Sequence, residues 1–199
     1  HQVQSLYLSR KANFYTGTMG NTADKDFRDE RRDYRRFRLD ESQLPGDPME
    51  LFTQWLDDAL KSGNPDPTAM TLSTIERNGQ PTSRIVLLKK VEAGRLVFYT
   101  NYHSRKSRAI RARSKVAIHF FWPELERQIR IQGKVEKIPP RDSDLYHSAR
   151  PRNNQLGAWA SEQSAPVSDR KTLEDQYDAV KKAYKDHEVI PRPPNWGGY

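Results

Sequence analysis

The sequence contains no cysteine. That absence excludes a disulfide framework, a thiolate metal site and a cysteine nucleophile, and it agrees with a cytoplasmic location. Long apolar runs are missing as well. No window approaches the ~18–20 continuous apolar residues of a membrane span, and the first residues lack the apolar stretch of a secretory signal. A soluble, intracellular protein with no membrane partner is expected. The chain also lacks G-x-G-x-x-G, G-x-x-x-x-G-K-[ST], H-E-x-x-H and G-x-S-x-G, so nucleotide-loop, zincin and nucleophile-elbow chemistries have no motif to rest on. The histidines, at positions 1, 103, 119, 147 and 187, are scattered without ligand spacing. No metal site is expected from them.

Apolar residues are scarce, 35% against 30% charged, in a chain of 199 residues. The length fits one ordinary domain plus an arm. A formal charge of +8 has two competing explanations, a polyanionic partner such as nucleic acid or a small anion gripped by a few placed cations. Charge alone does not choose. Much of the arginine lies in Asp24–Arg38, DKDFRDERRDYRRFR, where acids are interleaved with bases. Such mixing reads as a solvated arm. The arm is expected over residues 1–46 and to be largely disordered. Met19 can serve as a start with foreign or untranslated-type sequence before it, so residues 1–18 are left out of the fold reading, and the folded domain is placed at 47–199.

Asp47-Pro48-Met49-Glu50 combines an N-cap, a proline at the first helical position and a capping-box glutamate. A helix from Pro48 to about Ser62 follows, with Leu51, Phe52, Trp55, Leu56, Ala59 and Leu60 on one face. From Thr68 the period changes to strands. AMTLSTIER and PTSRIVLLKKVE flank Asn78-Gly79, which predicts a two-residue type I′ hairpin. Further strands are expected at Arg95–Asn101, Lys115–Trp122 and Arg127–Ile138, with a short helix at about Ser104–Arg113. Helices are then expected near Arg141–Ser148, Leu156–Ser164 and Asp169–His187. Close-spaced strands with one inserted helix predict an antiparallel barrel, closed or nearly so.

Three clusters can carry chemistry. Tyr99-Thr100-Asn101 runs into Ser104-Arg105-Lys106-Ser107, a strand leading to a helix start with a hydroxyl and two cations. Free N–H groups, the helix dipole, a planar guanidinium and an ammonium suit a phosphate there. A capped surface helix with exposed bases fits the pattern equally well. In Ser83-Arg84-Ile85-Val86-Leu87-Leu88-Lys89 two cations punctuate an apolar strand, and alternation turns them to opposite sides. Tyr146 and Arg150, four residues apart, share a helix face and can close over an aromatic phosphate ester, although a plain surface pair is commoner.

Taken together, R-I-V-L-L-K, F-Y-T-N-x-x-S-R-K, E-R-Q-I-R-I-Q-G, R-P-x-x-x-Q-L-G-A-W and S-x-Q-S resemble, in order and spacing from about Asp47 to Gly198, the pyridoxine 5′-phosphate oxidase family. The resemblance implies an α+β fold, a split antiparallel β-barrel that forms a homodimer with FMN in each of two clefts at the interface. It implies that FMN is held by Arg84, Ile85, Val86, Leu87, Tyr99, Thr100, Gln128, Gln163 and Ser164, with Arg105 and Lys106 at its phosphate. Lys89, Tyr146 and Arg150 would grip the substrate phosphate, with Asn154 where the family commonly has serine. Arg31 and Tyr34 belong to a stretch that resembles the family's fold-over segment. The implied reaction passes a hydride equivalent from C4′ of pyridoxine or pyridoxamine 5′-phosphate to the flavin N5, and molecular oxygen then yields hydrogen peroxide. The family continues past W-G-G with a Trp-Gln flavin contact and an Arg-x-His substrate contact, motifs that these 199 residues do not contain. FMN binding with weak turnover is the expectation for them. The alternatives are another flavin split-barrel oxidase and a non-catalytic FMN or pyridoxal-phosphate carrier; nucleic acid is not an expected partner.

Overall fold

In the computed structural model, residues 26–31, 33–35 and 39–199 are described, and the chain divides into two units, 1–34 and 35–199. Most of the expected arm, including residues 1–18, lies outside the described residues. In the second unit the Asp47 carboxylate accepts from the Met49 N–H at 2.9 Å and caps α1 (Pro48–Lys61). The helix buries Phe52, Leu56 and Ala59, the inner part of its apolar stripe. There follow β1 (Ala69–Ile75), β2 (Pro81–Leu87), β3 (Lys90–Glu92), β4 (Arg95–Val97), β5 (Tyr99–Asn101), α2 (Arg105–Ala112), β6 (Lys115–Trp122), β7 (Arg127–Lys134), α3 (Pro140–Ser148), α4 (Arg152–Ala160), α5 (Arg170–Ala183) and β8 (Trp196–Gly198).

The principal sheet is antiparallel in the order β2-β1-β6-β7, with two-stranded sheets β3-β4 and β5-β8 beside it. This is the expected α+β architecture, a split antiparallel barrel with flanking helices. One face of the principal sheet meets α1. Met70 and Leu72 of β1 and Val116, Ile118, Phe120 and Trp122 of β6 point that way and are buried with Phe52. The Phe52 and Phe120 rings lie 5.4 Å apart. Truncating a ring buried like Phe120 to alanine removes about 3–5 kcal/mol. Trp122 satisfies its indole N–H on the Pro67 carbonyl at 2.9 Å.

Several boundaries differ from the sequence reading: PTSRIVLLKKVE breaks after Leu87 into β2 and β3, which lie in different sheets, and the strand expected over Arg127–Ile138 ends at Lys134. The β1–β2 loop is not a two-residue type I′ turn. Gly79 N–H donates to Glu76 O and Glu76 N–H to Gln80 O, at 2.9 Å each, and only Gly79 takes a positive φ, +87°. That is a type I turn followed by a left-handed residue, a loop that Asn-Gly serves equally well. The strand expected over Arg95–Asn101 breaks at Phe98, because β4 pairs with β3 while β5 pairs with β8. The helix expected at Leu156–Ser164 lies earlier, at Arg152–Ala160, starting directly after Pro151 and ending before Ser164, whose φ is +71°. Finally β8, unforeseen as a strand, packs so tightly that a Cβ on Gly197 would sit 2.3 Å from Tyr102 Oη, and one on Gly198 2.5 Å from Ile138 Cδ1. Among the described residues no helix is long and apolar enough to cross a membrane.

Candidate active site

A cavity of about 420 Å³ opens where the end of β2, β5, the first turn of α2, the α3–α4 corner and β8 converge. Each wall follows from local structure. On β2 the alternation sends Thr82, Arg84 and Val86 inward and leaves Ile85 and Leu87 on the outer face; Ile85, Val86, Leu87 and the following Lys89 line the cavity. From β5 come Tyr99, Thr100 and Asn101. The Ser104 side chain caps α2 through the Ser107 N–H. That turn places Lys106 inside, 8% exposed.

Lys106 Nζ donates to Gln163 Oε1 at 2.8 Å, Thr100 Oγ1 at 3.0 Å and Ser104 Oγ at 3.3 Å. All its donors are engaged by neutral oxygens, so nothing balances its charge locally. Burial, and then the nearby Arg84, push its pKa from 10.5 down to about 8. At the α3–α4 corner Tyr146, Arg150, Asn153 and Asn154 line the opposite wall, with Gly157, Ala158, Ser161 and Trp196. Tyr146 stacks on Tyr99 with centroids 3.7 Å apart. Burial raises both phenol pKa values, which keeps the hydroxyls protonated as donors. Burial lowers the pKa of the Arg150 guanidinium, whose Nη1 is buried without a hydrogen-bond partner. Three cations, Lys89, Lys106 and Arg150, therefore face one cavity whose lining includes no carboxylate. Such a cavity is complementary to an anion.

Of the residues singled out from sequence, the structure brings together Ile85, Val86, Leu87, Lys89, Tyr99, Thr100, Lys106, Tyr146, Arg150, Asn154 and Gln163. It places others elsewhere. Arg84 points inward and donates to Leu72 O at 2.9 Å and to Thr74 Oγ1 and Thr82 Oγ1 at 2.8 Å. Consecutive helical residues diverge by about 100°, so Arg105 leaves Lys106 and pairs with the Glu76 carboxylate, holding the pKa of that carboxyl down. It lines a second cavity, about 390 Å³, with Arg77, Arg108 and Arg111. Gln128 lies on the outer face of β7, its Oε1 3.1 Å from His119 Nε2. Ser164 is exposed beyond the lining. Arg31 and Tyr34 belong to the first unit and are exposed there. Among the described residues no cluster suited to a metal ion occurs. Asn101, Asn153, Gly157, Ala158, Ser161 and Trp196 were not foreseen as lining residues. Asn101, Gly157, Ala158 and Ser161 sit inside the motifs quoted above, and Trp196 is the tryptophan of W-G-G, to which no role was given.

Fold and cavity together define a split-barrel protein with a cation-lined cavity. The model of the pyridoxamine 5′-phosphate oxidase family matches residues 56–184. A pyridoxine/pyridoxamine 5′-phosphate oxidase from Cytophaga hutchinsonii is 47% identical over 171 residues, 86% of this chain and 80% of that one. One from Thermosynechococcus vestitus is 48% identical over the same shares. Among solved structures, PhzG from Burkholderia lata, in complex with tetrahydrophenazine-1-carboxylic acid, superposes with a TM-score of 0.74 at 25% identity, covering 79% of this chain and 77% of that one. A pyridoxamine 5′-phosphate oxidase-related, FMN-binding protein from Nostoc punctiforme shares the fold, with a TM-score of 0.58 at 16% identity over 78% and 80% of the two chains. The chain belongs to the pyridoxamine 5′-phosphate oxidase family.

Proposed function

We propose that the protein is an FMN-dependent oxidase converting pyridoxine or pyridoxamine 5′-phosphate to pyridoxal 5′-phosphate. The observation that carries this reading is the cavity with three cations and no carboxylate, in which Lys106 and Arg150 belong to separate side-chain groups. Two cations in separate side-chain groups, Lys106 buried and Arg150 half-buried, suit two phosphates, one of a cofactor and one of a substrate. The donor set fits FMN. Lys106, with Thr100 and Gln163 beside it, would take the flavin phosphate, and the apolar run Ile85, Val86 and Leu87 offers a flat strand wall to the ring. Bound FMN supplies the acceptor for a hydride equivalent from C4′ and hands the electrons on to oxygen, giving hydrogen peroxide. The chain's own work is binding and orientation. Arg150 offers a planar fork to the substrate phosphate, Lys89 a point charge, and Tyr146 and Asn154 neutral donors. Holding the ester at that end fixes where C4′ lies, and no nucleophile is required.

The site is completed, in this reading, by a second copy of the chain. Ile85 (50% exposed) and Phe121 (54% exposed) lie on the open face of the principal sheet, and Gln128 pairs across from Phe121 on that face. A homodimer packed there would bury this apolar surface and bring the partner's copy of this face against the rim of the cavity.

The similarity to PhzG favours a second reading, an oxidase of a carboxylated ring, since the same cations would serve a carboxylate. One experiment separates them. FMN-loaded protein in air is incubated with pyridoxine 5′-phosphate, and the aldehyde product and peroxide are measured. Equal amounts of both are expected. No product from a chain that retains FMN would overturn the first reading and leave the second.

A further inference from the structure

We infer that Trp196 is the positioning residue that sets Arg150 for the substrate phosphate, and so fixes the preference for a phosphorylated substrate. The inference rests on the function proposed above and gives a role to the tryptophan of W-G-G, to which none was assigned. Arg150 Cζ lies 4.6 Å from the centroid of the Trp196 ring. Its Nη1 is buried with no hydrogen-bond partner, and no ion pair to Arg150 is found among the described residues. The face of the indole is what holds this cation in place. A ring face attracts a guanidinium through its quadrupole and uses none of the N–H donors. A carboxylate in the same place would occupy two of those donors and cancel the charge, and the incoming phosphate would have to displace it.

The ring is itself held from several sides. Tyr99 stacks on it at 5.6 Å and 12°, Tyr146 lies parallel at 6.2 Å and 5°, and His147 presents an edge at 5.5 Å. The backbone is fixed too. Trp196 pairs with Asn101 across the β5–β8 ladder, the Arg192 guanidinium donates to its carbonyl, and Tyr102 N–H donates to Asn195 O at 2.6 Å. Gly197 has no room for a Cβ beside Tyr102, so this register cannot slip without a clash. Trp196 thus joins two of the proposed phosphate donors, Tyr146 and Arg150, to one rigid ring.

The test uses the FMN-loaded full chain and its variants Trp196→Met, which stays apolar but is smaller and loses the π face, Trp196→Phe, which keeps a smaller face, and Arg150→Ala. Equilibrium dialysis measures binding of pyridoxine 5′-phosphate and of unphosphorylated pyridoxine. Trp196→Met should weaken the phosphorylated ligand about tenfold, within the range of a partly desolvated cation–π contact. Pyridoxine should change less than about twofold, and Trp196→Phe should recover most of the loss. In an Arg150→Ala background Trp196→Met should add less than about twofold, because the two residues act through one contact. Equal weakening of both ligands, a phenylalanine variant as poor as methionine, or additive losses would each overturn the role assigned to Trp196. A parent protein that fails to bind pyridoxine 5′-phosphate at all would instead overturn the proposed function, and the inference with it.

Discussion

Replacing Lys106 with methionine should make the ligand-free protein more stable near neutral pH while abolishing its preference for a phosphorylated flavin. Burial has moved the ammonium from 10.5 to about 8, which corresponds to about 3 kcal/mol against the charged form inside the fold. Methionine fills a similar volume without that charge. The oxygens left behind keep other partners, since Thr100 Oγ1 also donates to Gln163 Oε1 at 3.0 Å and Ser104 Oγ to Ser107 Oγ at 3.2 Å. Allowing for the lost ammonium contacts, a net gain of about 1–2 kcal/mol is expected, or about 2–8 °C in Tm for a domain of this size. The sign of the pH dependence follows from linkage. Below about pH 8 the lysine is protonated in both folded and unfolded chains, and the full penalty applies. Between about 8 and 10.5 the folded lysine has released a proton that the unfolded one retains, so the parent gains stability as pH rises and the advantage of methionine shrinks. Calorimetry of both apo proteins at about pH 7 and about pH 9.5 reads this directly. Flavin titrations complete the assay: FMN affinity should fall at least about tenfold and riboflavin affinity should hold. A variant less stable than the parent near neutrality, or a stability gap that does not change with pH, would refute the reasoning.

If the proposed dimer forms through the open face of the principal sheet, Phe121→Lys on that face should give a monomer in sedimentation where the parent gives twice the chain mass, and weaken FMN binding in parallel; a monomer with full FMN affinity would contradict a shared cleft. Gly198→Ala places a methyl 2.5 Å from Ile138 Cδ1 and 2.9 Å from the Tyr99 ring, and should lower stability by about 1–3 kcal/mol in denaturant unfolding. Asn154→Ala, which removes a neutral donor at the cavity wall, should raise KM for pyridoxine 5′-phosphate about threefold to tenfold with kcat little changed; a fall in kcat alone would move Asn154 away from the phosphate.

Where one local signal dominates, sequence and structure agree. Asp47-Pro48 sets the start of α1, Ser104 caps α2, and the eight residues of β6 alternate as their apolar pattern requires. Disagreement arises where two structures share one signal. Asn78-Gly79 fits a two-residue turn and a three-residue loop alike, and the strand pairing around Glu76 and Gln80 decides between them. Pro151 could follow α3 or open α4; it does the latter. Within the site, Tyr99, Lys106, Tyr146 and Arg150 were legible because their types and spacing already suit an anion. Arg84 and Arg105 do not line this cavity, because side-chain direction depends on the strand face and helix azimuth at which each sits, which local sequence does not give. Trp196 was visible within W-G-G but its place in the cavity wall was not, for the Gly-Gly beside it disfavours a strand and only pairing with distant Asn101 makes one.

That last pairing orders events during synthesis. Tyr99 to Asn101 emerge from the ribosome long before Trp196 to Gly198, and until the later segment docks, the edge of β5 has no ladder partner. The aromatic wall behind Arg150 therefore cannot exist in a partly made chain. Closing so wide a loop is slow, and it comes after the local hairpin of β1 and β2 has had time to form. A ligand that binds the finished cavity favours the docked segment by mass action, so supply of flavin during synthesis should raise the yield of folded chains.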